Sequence, residues 1–339
     1  MLLSIDSPQE RGGNEKQRLI RALAGPAPVA RAALCDTLRL EAEALQAQLD
    51  ALEREGLPVL DTAKGVWLDP ARSGLLPARW QPGLETRRLG RGIAFYAPEM
   101  DSTNSVLKRE AAAQVLPEGS LALCERQTAG RGRLQRVWED PEPGANLKSS
   151  VLLRPTLPPA QIPLLTLAVA IAAADAIAEW GLAPGIKWPN DVVLSTRKCV
   201  GILCEGTTDP QGAVCVVAGA GVNLNQTVFP DALQGRATSL KLETGHEVAA
   251  NAFFNRYLLH LEAAVDALCT QGFAGLLPSY RARSVTLGRR VQVVGATETF
   301  TGLAETLDET GALWVRDDAG TRRRVLSGDV SVRGVMGYV

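Results

Sequence analysis

From residue 155 to residue 174 the chain carries no charged side chain, and this stretch limits what it can fold into. Pro155, Pro158, Pro159 and Pro163 break its first half, and the rest, Leu164 to Trp180, is alanine-rich and carries Asp175 and Glu179. A membrane-spanning helix needs about 20 consecutive apolar residues. This segment falls short and reads as a helix buried inside a soluble body. The remaining composition agrees: 46% hydrophobic and 22% charged residues exclude wholesale disorder, and 339 residues suffice for two or three domains.

The N-terminus, with no basic start and no apolar run, does not read as a signal peptide. Six cysteines, with no CxxC pair and no metal-ligand spacing, read as reduced thiols, so a cytoplasmic location and no membrane contact are expected. A net charge of −1 argues against a general nucleic-acid coat. Only seven of the 36 basic residues are lysines, so any chemistry that needs a lysine has few candidates.

Apolar periodicity divides the chain. Leu19, Ile20 and Leu23 mark a first helix ended by Gly25-Pro26. Ala32–Leu38 is a second, and Glu41–Glu55 a third with Leu45, Leu49 and Leu52 on one side and Gly56 as its stop. Strands near Pro58–Leu60 and Gly65–Leu68 follow. This is the outline of a winged helix-turn-helix over residues 1–70. Residues 71–90, rich in Pro, Gly and Arg, read as a linker. Over 91–287 strands and helices intermix. Strands are expected at Ile93–Ala97, Leu121–Glu125, Leu147–Leu153, Ile186–Trp188, Asp191–Leu194, Cys199–Glu205 and Ala213–Leu224, and helices at Asn104–Ala113, Leu164–Trp180 and Ala249–Leu268. Strand-like pieces in 288–339, at Val291–Val294, Phe300–Leu303, Leu313–Val315 and Val330–Val332, predict a small β-barrel of about five strands. The fold class is therefore α+β: a winged helix-turn-helix, a mixed α/β centre and a small β-barrel.

Three clusters could carry chemistry. In Gly130-Arg131-Gly132-Arg133-Leu134-Gln135-Arg136-Val137-Trp138, the glycines let backbone N–H groups approach an anion, and three arginines add planar donor forks suited to phosphate or carboxylate. It is neither a Walker loop nor GxGxxG, and a basic surface loop or RNA-contacting tract is the plainer alternative. Lys187-Trp188-Pro189-Asn190-Asp191 places two oxygen-bearing side chains at a turn, a donor set that suits magnesium, although taken alone an ordinary strand connection is the plainer reading. Lys198 stands at the start of an apolar strand, where a solvated lysine is the common reading.

Ser102-Thr103-Asn104, the GRGR loop, KWPND, the segment Lys198 to Leu203 and Gly219-Ala220-Gly221-Val222-Asn223-Leu224 stand in the order seen in biotin–protein ligases, which this chain resembles over essentially its whole length. The resemblance implies that biotin is activated by ATP to biotinyl-5′-AMP and transferred to a lysine of the biotin carboxyl carrier protein. ATP and biotin would be substrates, with Mg2+ as cofactor. A lipoate- or octanoyl-transferring relative on the same fold is the alternative.

By similarity, Lys198, Arg133 and Arg131 are the expected catalytic residues. Ser102, Thr103, Asn104, Gln127, Arg131, Gly132, Arg133, Lys198 and Gly201 would bind biotin, and Trp138, Lys187, Asn190 and Asn223 would bind ATP. Asp191 would orient the phosphates or hold the metal. Leu134-Gln135 stands where relatives commonly have Arg-Gly, so the loop should be stiffer and less charged. DNA-binding relatives carry Ser, Arg and Lys on the recognition helix. Here Arg39 and Arg54 face Glu41, Glu43, Asp50, Glu53 and Glu55, a balance repulsive to an operator. A ligand-promoted homodimer through the central sheet is implied by the resemblance alone.

Overall fold

A computed structural model of the chain describes residues 3–5, 14–295, 298–327 and 331–334. A first strand, β1 (Leu3–Ile5), precedes three helices and a hairpin: α1 (Glu15–Leu23), α2 (Arg31–Leu38), α3 (Ala42–Arg54), β2 (Val59–Thr62) and β3 (Gly65–Leu68). Asn14 caps α1 by accepting the Gln17 N–H at 3.0 Å. Leu19, Ile20 and Leu23 of α1 pack with Leu34 and Leu38 of α2 and with Leu45, Leu49 and Leu52 of α3. Gly65, at φ +125°, lets the hairpin press on the α1–α2 loop, since a Cβ there would stand 2.6 Å from the Val29 carbonyl oxygen. The acids of α3 do not join this core: Glu43, Asp50 and Glu53 are exposed, as is Glu41 before it.

Residues 71–90, expected as a linker, connect the two halves but are held along their length. The short helix α4 (Pro77–Trp80) buries Trp80 completely. Four apolar side chains at irregular spacing (Leu75, Leu76, Trp80 and Leu89) hide among polar and turn residues, which conceals the packing from a periodicity reading.

The centre is an eight-stranded sheet made of β1, β4 (Ala94–Met100), β5 (Leu121–Gln127), β6 (Leu147–Leu153), β7 (Gly185–Lys187), β8 (Asp191–Leu194), β9 (Arg197–Thr208) and β10 (Val214–Val222). The spatial order is β1-β4-β5-β6-β10-β9-β8-β7. Only β4 and β5 run parallel, so the sheet is mixed. Strand alternation sends Phe95, Ala97, Ala122 and Cys124 to one face, where helix α5 (Thr103–Ala113) covers them with Val106, Leu107 and Ala111. Tyr96, Leu121 and Leu123 go to the other face and meet α6 (Leu164–Ala178) and α8 (Ala250–Arg283). Twelve residues of α6 are buried, in agreement with its all-round apolar sequence. The edge strand β1 was not expected, and its antiparallel pairing with Ala94–Tyr96 depends on a partner about 90 residues away.

Helix α8 runs past the expected Leu268 but breaks at Gly272 (φ +66°), and Phe273, Leu276, Leu277 and Tyr280 hold its second half in the core. Trp80 meets Phe254 of α8 edge-on at 5.2 Å, and Glu262 accepts backbone N–H groups from Arg87, Arg88 and Leu89 at 2.7–3.0 Å. The short helix α7 (Leu240–Thr244) precedes α8.

The tail forms a second sheet of β11 (Arg290–Val294), β12 (Thr299–Leu307), β13 (Leu313–Asp317), β14 (Arg322–Val325) and β15 (Ser331–Gly334). Its order is β14-β13-β12-β11-β15, and among the described residues no pairing joins β14 to β15. The five strands are as expected in number, whereas the closure of a barrel is not seen. Val330, the expected start of the last strand, lies outside the described residues. The tail docks on the centre through Trp188, whose Nε1 donates to the Gly311 carbonyl at 3.1 Å.

Candidate active site

One cavity of about 530 Å3 gathers residues from every cluster singled out in the sequence. Its floor is bare backbone. Gly201 of β9 and Gly221 of β10 are direct register partners, and a Cβ on either would stand 2.7 Å from the Trp138 ring. The indole therefore lies flat against two strands that only glycine lets it approach. Lys198 Nζ sits 5.8 Å from the centre of the same ring.

Lys198 reaches this face because of a bulge. Val192 pairs with Val200 and Val193 with Lys198, which leaves Cys199 as the extra residue of β9. Strict alternation from Gly201 would turn Cys199 into the cavity and Lys198 away. The bulge exchanges them: Cys199 is fully buried, and the Lys198 Nζ and Cε lie within 3.1 Å of an ideal Cβ on Gly201. Lys198 Nζ then pairs with Asp191 Oδ1 at 2.6 Å. Its backbone N–H donates to the Arg236 carbonyl at 2.8 Å, and its carbonyl accepts from Thr238 at 2.9 Å.

Lys187, close to the same carboxylate, is buried. Burial pulls its ammonium down to about 8, Asp191 opposes the shift, and Lys198, Arg136 and Arg333 add to it. Asp191 was expected to orient phosphates or hold a metal. It is paired with Lys198, and among the described residues no three His, Cys, Asp or Glu side chains are grouped as a metal cage. Apart from Lys148, whose charge is buried against Asp140, the lining carries seven Lys and Arg residues against Glu139 and Asp191, a strongly cationic wall suited to anions.

The N-terminus of α5 forms the other end. Gln127 Oε1 accepts from the Thr103 N–H at 2.8 Å and from its hydroxyl at 3.3 Å, while Ser150 Oγ donates to Thr103 Oγ1 or Asn104 Oδ1. Asn104 Nδ2 reaches the Leu203 carbonyl and Glu205 Oε2 at 3.1 and 2.8 Å. Glu205 also pairs with Lys108 at 2.9 Å and Arg131 at 2.9 Å. Burial opposes its ionisation, but Asn104, Lys108 and Arg131 outweigh that and hold it below the usual carboxylate range. Ser102 lies beside them as the N-cap of α5, and its side chain makes no capping bond.

The arginine loop folds as a small flap. Gly132 N–H donates to the Arg136 carbonyl at 2.7 Å, and Trp138 N–H to Gly130 at 3.0 Å. Leu134, where relatives were expected to carry arginine, takes a left-handed conformation (φ +55°). Arg133 reaches across the cavity to Asn190 Oδ1 at 3.2 Å and to the Ser327 carbonyl of the tail. Asn190 Nδ2 is fixed on the Ile202 carbonyl, and Asn223 Nδ2 on the Thr238 carbonyl. All the residues expected to bind or react thus line one cavity. Glu205, Arg236 and Arg333 were not foreseen. Glu205 closes the apolar strand that follows Lys198, and that position is the one local signal; the two arginines come from distant loops and tail.

Comparison with known proteins identifies the lineage. Residues 96–223 match the model of the biotin/lipoate A/B protein ligase family, and residues 286–333 match that of the biotin protein ligase C-terminal domain. The bifunctional ligase/repressor BirA of Bacillus subtilis is 30% identical over 303 residues, covering 88% of this chain and 92% of that one. The biotin--[acetyl-CoA-carboxylase] ligase of Mycobacterium tuberculosis is 33% identical over 277 residues, covering 76% and 97%. Among solved structures, the biotin protein ligase of Aquifex aeolicus in complex with biotin and ATP superposes with a TM-score of 0.62 at 27% identity, over 71% of this chain and 98% of that one. With motifs, fold and relatives in agreement, this chain belongs to the biotin–protein ligase family.

Proposed function

We propose that the protein condenses biotin with ATP and passes the biotinyl group to one lysine of a biotin carboxyl carrier protein. In the first step a biotin carboxylate oxygen attacks the α-phosphorus, pyrophosphate leaves, and biotinyl-5′-AMP forms. In the second, the carrier amine attacks the acyl carbon, loses a proton, and AMP leaves with the C–O bond electrons. Both steps bring anions together, so a preorganised cationic wall lowers the barrier. The observation that carries this reading is the placement of Lys187 and Lys198 about Asp191 beside the glycine-floored Trp138 slot.

Lys198 is assigned to the biotin carboxylate and the charge developing at the acyl group, and Lys187 to the nucleotide phosphates. Arg133, tied to Asn190 and Ser327, holds the flap over the intermediate and keeps water out. Ser102, Thr103, Asn104 and Gln127 are assigned to the biotin head group, and Trp138 and Asn223 to the acyl tail and nucleotide side. Mg2+ enters with ATP as its substrate complex, and no step above depends on a protein-held ion. The six cysteines are free thiols and no described helix is long and apolar enough to cross a membrane, which supports a cytoplasmic enzyme.

We read the three helices and hairpin as a winged helix-turn-helix. The exposed acids of α3 favour the ligase activity over strong operator binding.

The discriminating experiment offers the purified protein, ATP and Mg2+ with a carrier domain and equal concentrations of biotin, lipoate and octanoate. Mass spectrometry should find the biotinyl adduct on one lysine. An octanoyl or lipoyl adduct in its place moves the protein to the alternative.

A further inference from the structure

One fully buried lysine in the cavity wall has no part in the chemistry above. Lys148 lies on β6 directly opposite Gly221, the glycine on which Trp138 rests. Its side chain is 0% exposed and pairs with Asp140, 3% exposed, at 2.8 Å. The ammonium also donates to the Glu125 carbonyl of β5. Asp140 stands two residues beyond Trp138, and its Oδ2 also accepts the Gln127 N–H at 3.3 Å. Its Oδ1 is buried and has no hydrogen-bond partner among the described residues.

A buried ion pair is a poor way to stabilise a fold, because stripping water from two charges costs about as much as their attraction returns. An apolar pair of similar volume would hold the two segments as well. What the charges add is a fixed point. The entrance of the arginine loop is already pinned by main chain, where Thr128 and Ala129 N–H groups donate to the Met100 and Asp101 carbonyls at 2.8 Å. The exit lies next to Asp140. The flap therefore lies between two anchors, one of backbone and one of charge.

We propose that Lys148 and Asp140 are positioning residues: their buried pair fixes the exit hinge of the arginine loop, so that Trp138 and Arg133 close in register over the acyl-adenylate. This rests on the ligase reading above. It predicts that loosening the pair lets the intermediate escape more than it slows its formation.

The test compares wild type with Lys148→Met and with the double variant Lys148→Met/Asp140→Leu. The readouts are thermal midpoint, the rate of labelled biotinyl-AMP formation, and label escaping to lysines of added serum albumin. The single variant leaves a buried carboxylate uncompensated and should melt lower. The double variant should recover most of the midpoint yet leak label about tenfold faster, with formation changed less than about threefold.

Wild-type retention in the double variant, or formation and retention declining in equal proportion, overturns the proposal in favour of a merely structural pair. Should the double variant not fold, Asp140→Asn carries the same comparison: faster escape with preserved formation supports the hinge, and unchanged escape overturns it. If wild type forms no adenylate at all, the ligase reading is what has failed.

Discussion

Lys198 Nζ and Asp191 Oδ1 lie 2.6 Å apart because β8 and β9 pair out of step at Cys199. One extra residue turns the lysine from the hidden face of the strand to the cavity, and the carboxylate of the neighbouring strand holds it there. Lys187 lies near the same carboxylate, so the site presents two ammonium groups about one anion. An arriving phosphate or carboxylate meets net positive charge, in a setting where burial strengthens its effect.

The lowered position of Lys187 gives a pH signature. Burial disfavours its charged form, so it loses its proton as pH rises through about 8, well below the unperturbed lysine value. Below that pH the free enzyme keeps a cation for the nucleotide phosphates, and above it that cation is lost. kcat/KM for ATP should therefore decline above pH 8, and Lys187→Met should flatten that limb while lowering the plateau about 100-fold. Steady-state kinetics from pH 6.5 to 9.5 checks both.

Gly221→Ala tests the floor. The new methyl would sit 2.7 Å from the Trp138 ring, with Lys148 and Gly201 as register neighbours to either side. The strand should keep its pairing, because alanine adopts the same extended backbone, but the indole must lift. KM for biotin should rise about 10- to 100-fold with the thermal midpoint shifted by only a few degrees. Kinetics and calorimetry on the one variant separate these effects.

Much of this was legible in the chain because the signals were local. Leu147–Leu153 and Asp191–Leu194 form strands with the expected bounds, and α6 begins at Leu164 where the prolines stop. The barrel closure was not borne out. Strand β14, Arg322–Val325, went unseen because three of its four residues are arginine, and nothing in a polar run announces a ladder to β13. The role of Glu205 was illegible for another reason. A lone acid at a strand end acquires meaning only when Asn104, Lys108 and Arg131, about 70 to 100 residues away, converge on it. The bulge at Cys199 was hidden likewise, since register belongs to two strands rather than one.

Arg133→Gly should open the flap. It removes the bonds to Asn190 and to the Ser327 carbonyl that hold the loop against the KWPND turn and the tail. Adenylate formation should persist within about tenfold, while label on bystander lysines rises by about the same factor or more. A gel of biotinylated bystander protein reads it directly.

The helical head predicts weak, salt-sensitive contact with DNA at most. The acids before and along α3, Glu41, Glu43, Asp50 and Glu53, lie exposed, and Arg31 of α2 is already engaged by Asp61. Replacing Glu43, Asp50 and Glu53 with glutamine should strengthen binding to the region upstream of biotin-synthesis genes and steepen its salt dependence. Mobility-shift titration at two salt concentrations, with and without biotin and ATP, measures the change.

The central claim is that Lys198 makes this cavity a biotin-activating site. Purified protein with labelled biotin, ATP and Mg2+ should accumulate biotinyl-5′-AMP, and Lys198→Ala should form it at least about 100-fold more slowly while folding normally. Undiminished adenylate formation by Lys198→Ala, or none by the wild-type protein, would contradict the account.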